Sequence, residues 1–171
     1  MSCLNDLPMM KLLLEHGADV TITDKGGCTP FYRVYTAEYT SAENRSKAID
    51  VLLDYVFLAA FAYSSNFCIY PLIIASEHSD FPLIERMLQH GADARITNGC
   101  GDYVLFCLLR NLPEDLNETE VLKCVKLLVE YGTDVTAKNE NCETVFDYVD
   151  ARSELEALLR EYSVDRKPLL K

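Results

Sequence analysis

Positive charge is scarce in this chain: 16 lysines and arginines stand against 27 aspartates and glutamates, a net charge of −11. A surface of that sign repels phosphate backbones, so nucleic acid is a poor primary partner, and a basic or mixed-charge protein surface suits it better. Histidine is scarcer still, with three residues in 171. There is no H-E-x-x-H, no glycine-rich phosphate loop and no G-x-S-x-G, and none of the seven cysteines has a histidine beside it. Those cysteines, an odd number at 3, 28, 68, 100, 107, 124 and 142, form no C-x-x-C pair. Disulfide and zinc frameworks are thereby disfavoured, and reduced thiols in an intracellular, cytoplasmic or nuclear, protein are expected. Signal-peptide features are missing, so Asn44-Arg45-Ser46 and Asn117-Glu118-Thr119 read as chance matches to a glycosylation acceptor. No catalysis, cofactor, metal or small-molecule substrate is expected from this inventory.

What the chain has instead is self-similarity. Leu14-Glu15-His16-Gly17-Ala18-Asp19 returns as Leu88-Gln89-His90-Gly91-Ala92-Asp93 and as Val129-Glu130-Tyr131-Gly132-Thr133-Asp134, with a worn copy at Leu53-Asp54-Tyr55. A second phrase follows each: Cys28-Thr29-Pro30-Phe31, Ile69-Tyr70-Pro71-Leu72, Asp102-Tyr103-Val104-Leu105 and Glu143-Thr144-Val145-Phe146. Pro30, Pro71, Val104 and Val145 are 41, 33 and 41 residues apart, while His16, His90 and Tyr131 each precede the next such position by 14. The segment between the phrases therefore has a fixed length, and the eight extra residues of the longer copies fall elsewhere, mostly between two helices.

The periodicity within each copy explains its parts. Met10, Leu13 and Leu14, then Ile84, Met87 and Leu88, then Val125, Leu128 and Val129 recur at spacings of three and four, one face of an α-helix. Gly17, Gly91 and Gly132 follow the helix ends, where a left-handed residue is wanted. Thr29 and Pro30 supply an N-cap and a first helical position that needs no N–H.

In these phrases, Thr29-Pro30 and Gly17-Ala18-Asp19 above all, the chain resembles the ankyrin-repeat family over roughly Pro8 to Tyr162. It departs from the family where Tyr32, Ile73, Phe106 and Asp147 replace its histidine, where Val104 and Val145 replace its proline, and where the second copy has no glycine. The resemblance implies an all-α solenoid of stacked antiparallel helix pairs with short hairpin loops. It places one domain at 1–165, with a partial repeat at 1–28, repeats at 29–69, 70–102 and 103–143, a capping repeat at 144–162 and a flexible tail at 163–171. Repeats cannot bury their apolar faces alone and must stack. A first helix opening on Met9, Met10 and Leu13 imitates a polar cap poorly, so the chain is expected to belong to a longer array.

Family resemblance also locates the binding surface, at hairpin tips and the exposed ends of first helices. Carried over by position, it implies Asp24, Lys25 and Cys28; Asn66, Phe67 and Ile69; Asn98, Cys100 and Asp102; and Glu140, Asn141 and Glu143 as tip residues. It implies Glu77, His78, Arg110 and Asn111 as helix-end residues. Their expected partner is another protein, met without catalysis. Residues 55–76 contain no charge, which leaves a membrane-associated protein anchored there as an alternative, although Ser64-Ser65-Asn66 and Pro71 interrupt the run. A regulatory segment of a multidomain enzyme is a further alternative. The bland reading of 55–76 is a second helix running on past Tyr55 for want of a glycine to stop it.

Overall fold

The computed structural model describes residues 6–37, 41–59, 71–112, 117–150 and 153–165. Among them the regular elements are helical: α1 (Leu7–Glu15), α2 (Pro30–Tyr35), α3 (Ala42–Ala59), α4 (Pro71–Glu77), α5 (Phe81–Gln89), α6 (Val104–Arg110), α7 (Glu118–Glu130), a 3-10 turn (Val145–Tyr148) and α8 (Glu154–Asp165). The β-structure among the described residues is one isolated antiparallel bridge, Thr97 to Tyr103. The chain forms two compact units, Met1–Pro71 and Leu72–Lys171.

In the first unit α3 packs against both α1 and α2. Met10 and Leu14 of α1, Val20 of the following hairpin, Phe31 and Val34 of α2, and Ala48, Ile49, Leu52 and Leu53 of α3 are buried apolar residues. Thr29 caps α2 as expected, its hydroxyl accepting from the Tyr32 N–H at 3.2 Å, with Pro30 at the helix start. Helix α3 continues through Tyr55 to Ala59, since no glycine ends it there. The extra residues expected between two helices are here partly helix, since residues 42–47 form the first turns of α3.

In the second unit the second helices α5, α7 and α8 pack in succession, and α6 packs on the 3-10 turn. Helix α6 is buried from Val104 to Leu109 and α4 from Leu72 to Ser76, the all-round burial of short inner helices. Comparison of the two pairs shows where the eight extra residues went. Helix α7 has 13 residues against 9 for α5, one added turn, and the connection before it is longer by the other four. Val145–Tyr148 is a 3-10 turn where the sequence pattern predicts a first helix. Asp147, in place of the family's histidine, accepts from the Thr144 N–H at 2.6 Å and from its hydroxyl at 2.9 Å, tightening the turn.

Helix ends follow the repeated phrase. Gly17, Gly91 and Gly132 have φ of +82°, +92° and +102°. Each glycine N–H and that of the residue after it fold back to carbonyls of the last turn, as in Gly91 N–H to Leu88 O (2.9 Å) and Ala92 N–H to Met87 O (3.0 Å). Asp19, Asp93 and Asp134 shape the turns beyond, each carboxylate accepting from the N–H two residues on.

Candidate interaction surface

Three hairpins are built on one plan. Asp24, Asn98 and Asn139 occupy the same place, six residues before Pro30, Val104 and Val145. The side-chain oxygen of each accepts two backbone N–H groups: Gly26 (2.8 Å) and Cys28 (3.1 Å); Cys100 (2.9 Å) and Asp102 (2.9 Å); Asn141 (3.0 Å) and Glu143 (3.0 Å). The same three residues donate their own N–H groups to Cys28, Asp102 and Glu143 carbonyls at 3.0, 2.9 and 3.1 Å. Gly27, Gly101 and Cys142 take positive φ at one shared position of the bracket. A tip tied at both ends by three local bonds is held without help from regular structure.

Within the second unit a buried polar network joins two of these hairpins. Asp102 is 2% exposed, and the Arg110 guanidinium binds it in a two-pronged contact at 2.8 and 3.1 Å. Asn139, itself 6% exposed, donates to Asp102 at 2.9 Å and to Glu143 at 2.8 Å. Arg110 donates to the Tyr148 hydroxyl at 2.8 Å and lies 5.1 Å from the centre of its ring, and the hydroxyl donates onward to Glu143 at 2.5 Å. Burial is the largest single influence on the Asp102 carboxyl and pushes its pKa up. Hydrogen bonds from Asn139 and Arg110, with the guanidinium charge, outweigh it and hold the pKa below the ordinary aspartate range. In the first unit Arg33 plays a similar part on an open surface, binding Asp24 at 2.6 Å.

Four of the expected contact residues are thus engaged in hydrogen bonds within the unit, though only Asp102 is buried. Asp102 is spent entirely on the network, Asn98 on its own hairpin, and Arg110 and Glu143 largely on each other's partners. Asp24, Lys25, Cys100, Glu140 and Asn141 stand exposed at the tips, Cys28 is half-buried, Glu77 and Asn111 are exposed at the ends of α4 and α6, and His78 just after α4 is exposed too. Asn66, Phe67 and Ile69 lie outside the described residues. The role of Tyr148 and that of Arg33 go unseen in the sequence. Their only signal is register, since both stand three residues after the Thr-Pro-type position, at Val145 and Pro30.

Elsewhere the chemistry is muted. Burial pushes the Cys107 and Cys124 thiols up to about 12, reinforced by Glu77 and Glu85 respectively, so neither is a thiolate nucleophile at neutral pH. Among the described residues no group of His, Cys, Asp and Glu could hold a metal, and no helix is long and apolar enough to cross a membrane. Half of the uncharged stretch, 60–70, lies outside the described residues. A cleft of about 470 Å³ opens between α5 and α7, lined by Phe81, Pro82, Glu85, Glu120, Lys123, Cys124 and Leu127.

Known proteins share this architecture. The ankyrin repeat family model matches residues 1–25, a segment that includes α1 and the start of the hairpin after it. The crystal structure of the ankyrin repeat protein EF0377 is similar over 94% of this chain and 73% of its own, with a TM-score of 0.60 and 22% identity. No curated protein matches the sequence. The fold is similar to that of ankyrin-repeat proteins, with the described residues built of helix pairs. Ankyrin repeats generally serve as protein-binding modules.

Proposed function

We propose that this protein is a non-catalytic scaffold that binds another protein through its hairpin tips and the adjoining ends of its first helices. What supports this reading is the triplicated hairpin bracket, which ties each tip by local hydrogen bonds while Lys25, Cys100, Glu140 and Asn141 stay exposed at its outer side. Rigid loops lose little freedom on binding, and that loss is a main cost of association. In the second unit Cys100, Glu140 and Asn141 with Glu77, His78 and Asn111 form the contact set, and Arg110 adds the exposed part of its guanidinium. In the first unit Asp24, Lys25 and Cys28 are the candidates, and Asn66, Phe67 and Ile69 complete the reading, with Phe67 as an apolar anchor. The net charge of −11 favours a partner with a basic patch over nucleic acid. A reducing compartment, cytoplasm or nucleus, fits seven cysteines without a paired motif.

Proximity crosslinking with the wild type, and with Glu140→Lys/Asn141→Arg and Phe67→Ala variants, tests the surface. Both variants are expected to lose a crosslinked protein that the wild type captures, and raised salt to weaken its capture. Capture of the same set by all three chains would refute the assignment.

A further inference from the structure

The cleft between α5 and α7 owes one wall to the turn by which α7 exceeds its sister helix. With the helix-ending positions His90 and Tyr131 aligned, Glu120 corresponds to Ser79, which lies ahead of α5. Glu120 thus extends the wall of the cleft past the start of the shorter helix. On α5 the lining comes from the first half, Phe81 to Glu85, at the end remote from the hairpin that follows Gln89. Every lining side chain belongs to the described residues. Phe81 and Leu127 are half-buried and Cys124 is 5% exposed, which makes an apolar floor. The Glu85 carboxylate lies near enough to the Cys124 thiol to add to the effect of burial on it, so negative charge stands beside that floor. Glu85, Glu120 and Lys123 are exposed, leaving one carboxylate in excess.

We propose that this cleft is a second contact surface, separate from the hairpin tips, and that its occupant is an arginine flanked by apolar residues in a segment of another protein. The chemistry of the lining selects that group. A guanidinium presents a planar fork to carboxylates and stacks on an aromatic face, here Glu85 and Glu120 with Phe81. Its alkyl stem and its apolar neighbours cover Leu127 and the Cys124 thiol, which burial keeps protonated. The Lys123 ammonium has three donors and no acceptor, so it meets a backbone carbonyl of the segment. A volume of about 470 Å³ falls within the about 300–1,000 Å³ of sites that enclose a ligand. The net charge of −11 draws a cationic segment in, and it disfavours a second copy of this chain as occupant.

The test titrates the isotopically labelled full chain with N-acetyl-Leu-Arg-Leu amide, and separately with its Leu-Gln-Leu counterpart, followed by NMR. Amide shifts are expected for the arginine peptide alone, confined to Phe81–Glu85 and Glu120–Leu127. Its dissociation constant should rise about tenfold in Glu85→Lys/Glu120→Lys and about threefold in Phe81→Leu. Glu130→Lys/Glu161→Lys carries the same change in charge at exposed positions away from the cleft and should keep the wild-type affinity. Equal affinity for the two peptides, shifts that map outside α5 and α7, or an equal loss in Glu130→Lys/Glu161→Lys overturns the proposal. If urea melts show that the charge reversals disturb folding, Phe81→Leu decides, and an unchanged dissociation constant there overturns it.

Discussion

Replacing Arg110 by methionine removes a charge but keeps most of the apolar stem, and it isolates the network's central pair. Asp102 then remains 2% exposed with its two guanidinium contacts gone, and with Asn139 and Asn98 as its remaining side-chain donors. Breaking a buried ion pair by deleting one partner costs about 3–5 kcal/mol. Here the Arg110 side chain is itself 41% exposed and two amide donors stay, so a smaller loss, about 2–3 kcal/mol, is expected. With a urea dependence of about 2 kcal/mol per molar, the midpoint of the second unit falls by about 1 M. The loss should also depend on pH. In the wild type the Asp102 pKa is lowered, so its contribution is present above the unfolded aspartate value and fades as pH falls through the folded one. Without Arg110 the burial effect dominates, the pKa moves up, and protonation relieves the strain. The gap between variant and wild type therefore narrows from pH 7 to pH 3, and Asp102→Asn in the variant background recovers part of it at pH 7. A midpoint shift below about 0.3 M, or a gap that ignores pH, would refute the account.

Cys142 holds φ of +62° where the sister hairpins have Gly27 and Gly101, so Cys142→Gly should stabilise by up to about 1 kcal/mol in urea melts, and a loss would count against the bracket. Thr133→Val keeps shape but orphans the Ala94 carbonyl, which predicts a loss of about 1–2 kcal/mol; an unchanged midpoint would show the bond to be idle. Thiol labelling of the native chain at pH 7.4 should modify Cys100 and Cys142 rapidly and Cys107 and Cys124 only after unfolding, as read by peptide mass spectrometry; rapid native labelling of Cys107 would contradict its burial.

Much of the architecture was legible because the signals are local. A helix that ends at His16, His90 or Tyr131 ends there because the next residue is glycine, and α3 runs on to Ala59 because the worn copy has none. The 3-10 turn was missed, since Thr144 and Asp147 sit at first-helix positions and only their hydrogen bonds show how tightly the chain is wound. Contact residues were less legible. An exposed tip and a buried clamp use the same residue types, and the sequence placed Asp102 and Arg110 beside Cys100 and Glu140 on equal terms.

By itself, then, the sequence determined the repeat register, the caps and stops of the helices, and the residues forming each hairpin bracket, all set within a few positions along the chain. Only the tertiary structure decided which polar side chains face inward. The partners of Asp102 and Arg110 include Asn139 and Tyr148, 37 and 38 residues away, brought near by stacking one helix pair on the next. A carboxylate's burial depends on donors that such stacking delivers, and no spacing within a single repeat encodes them.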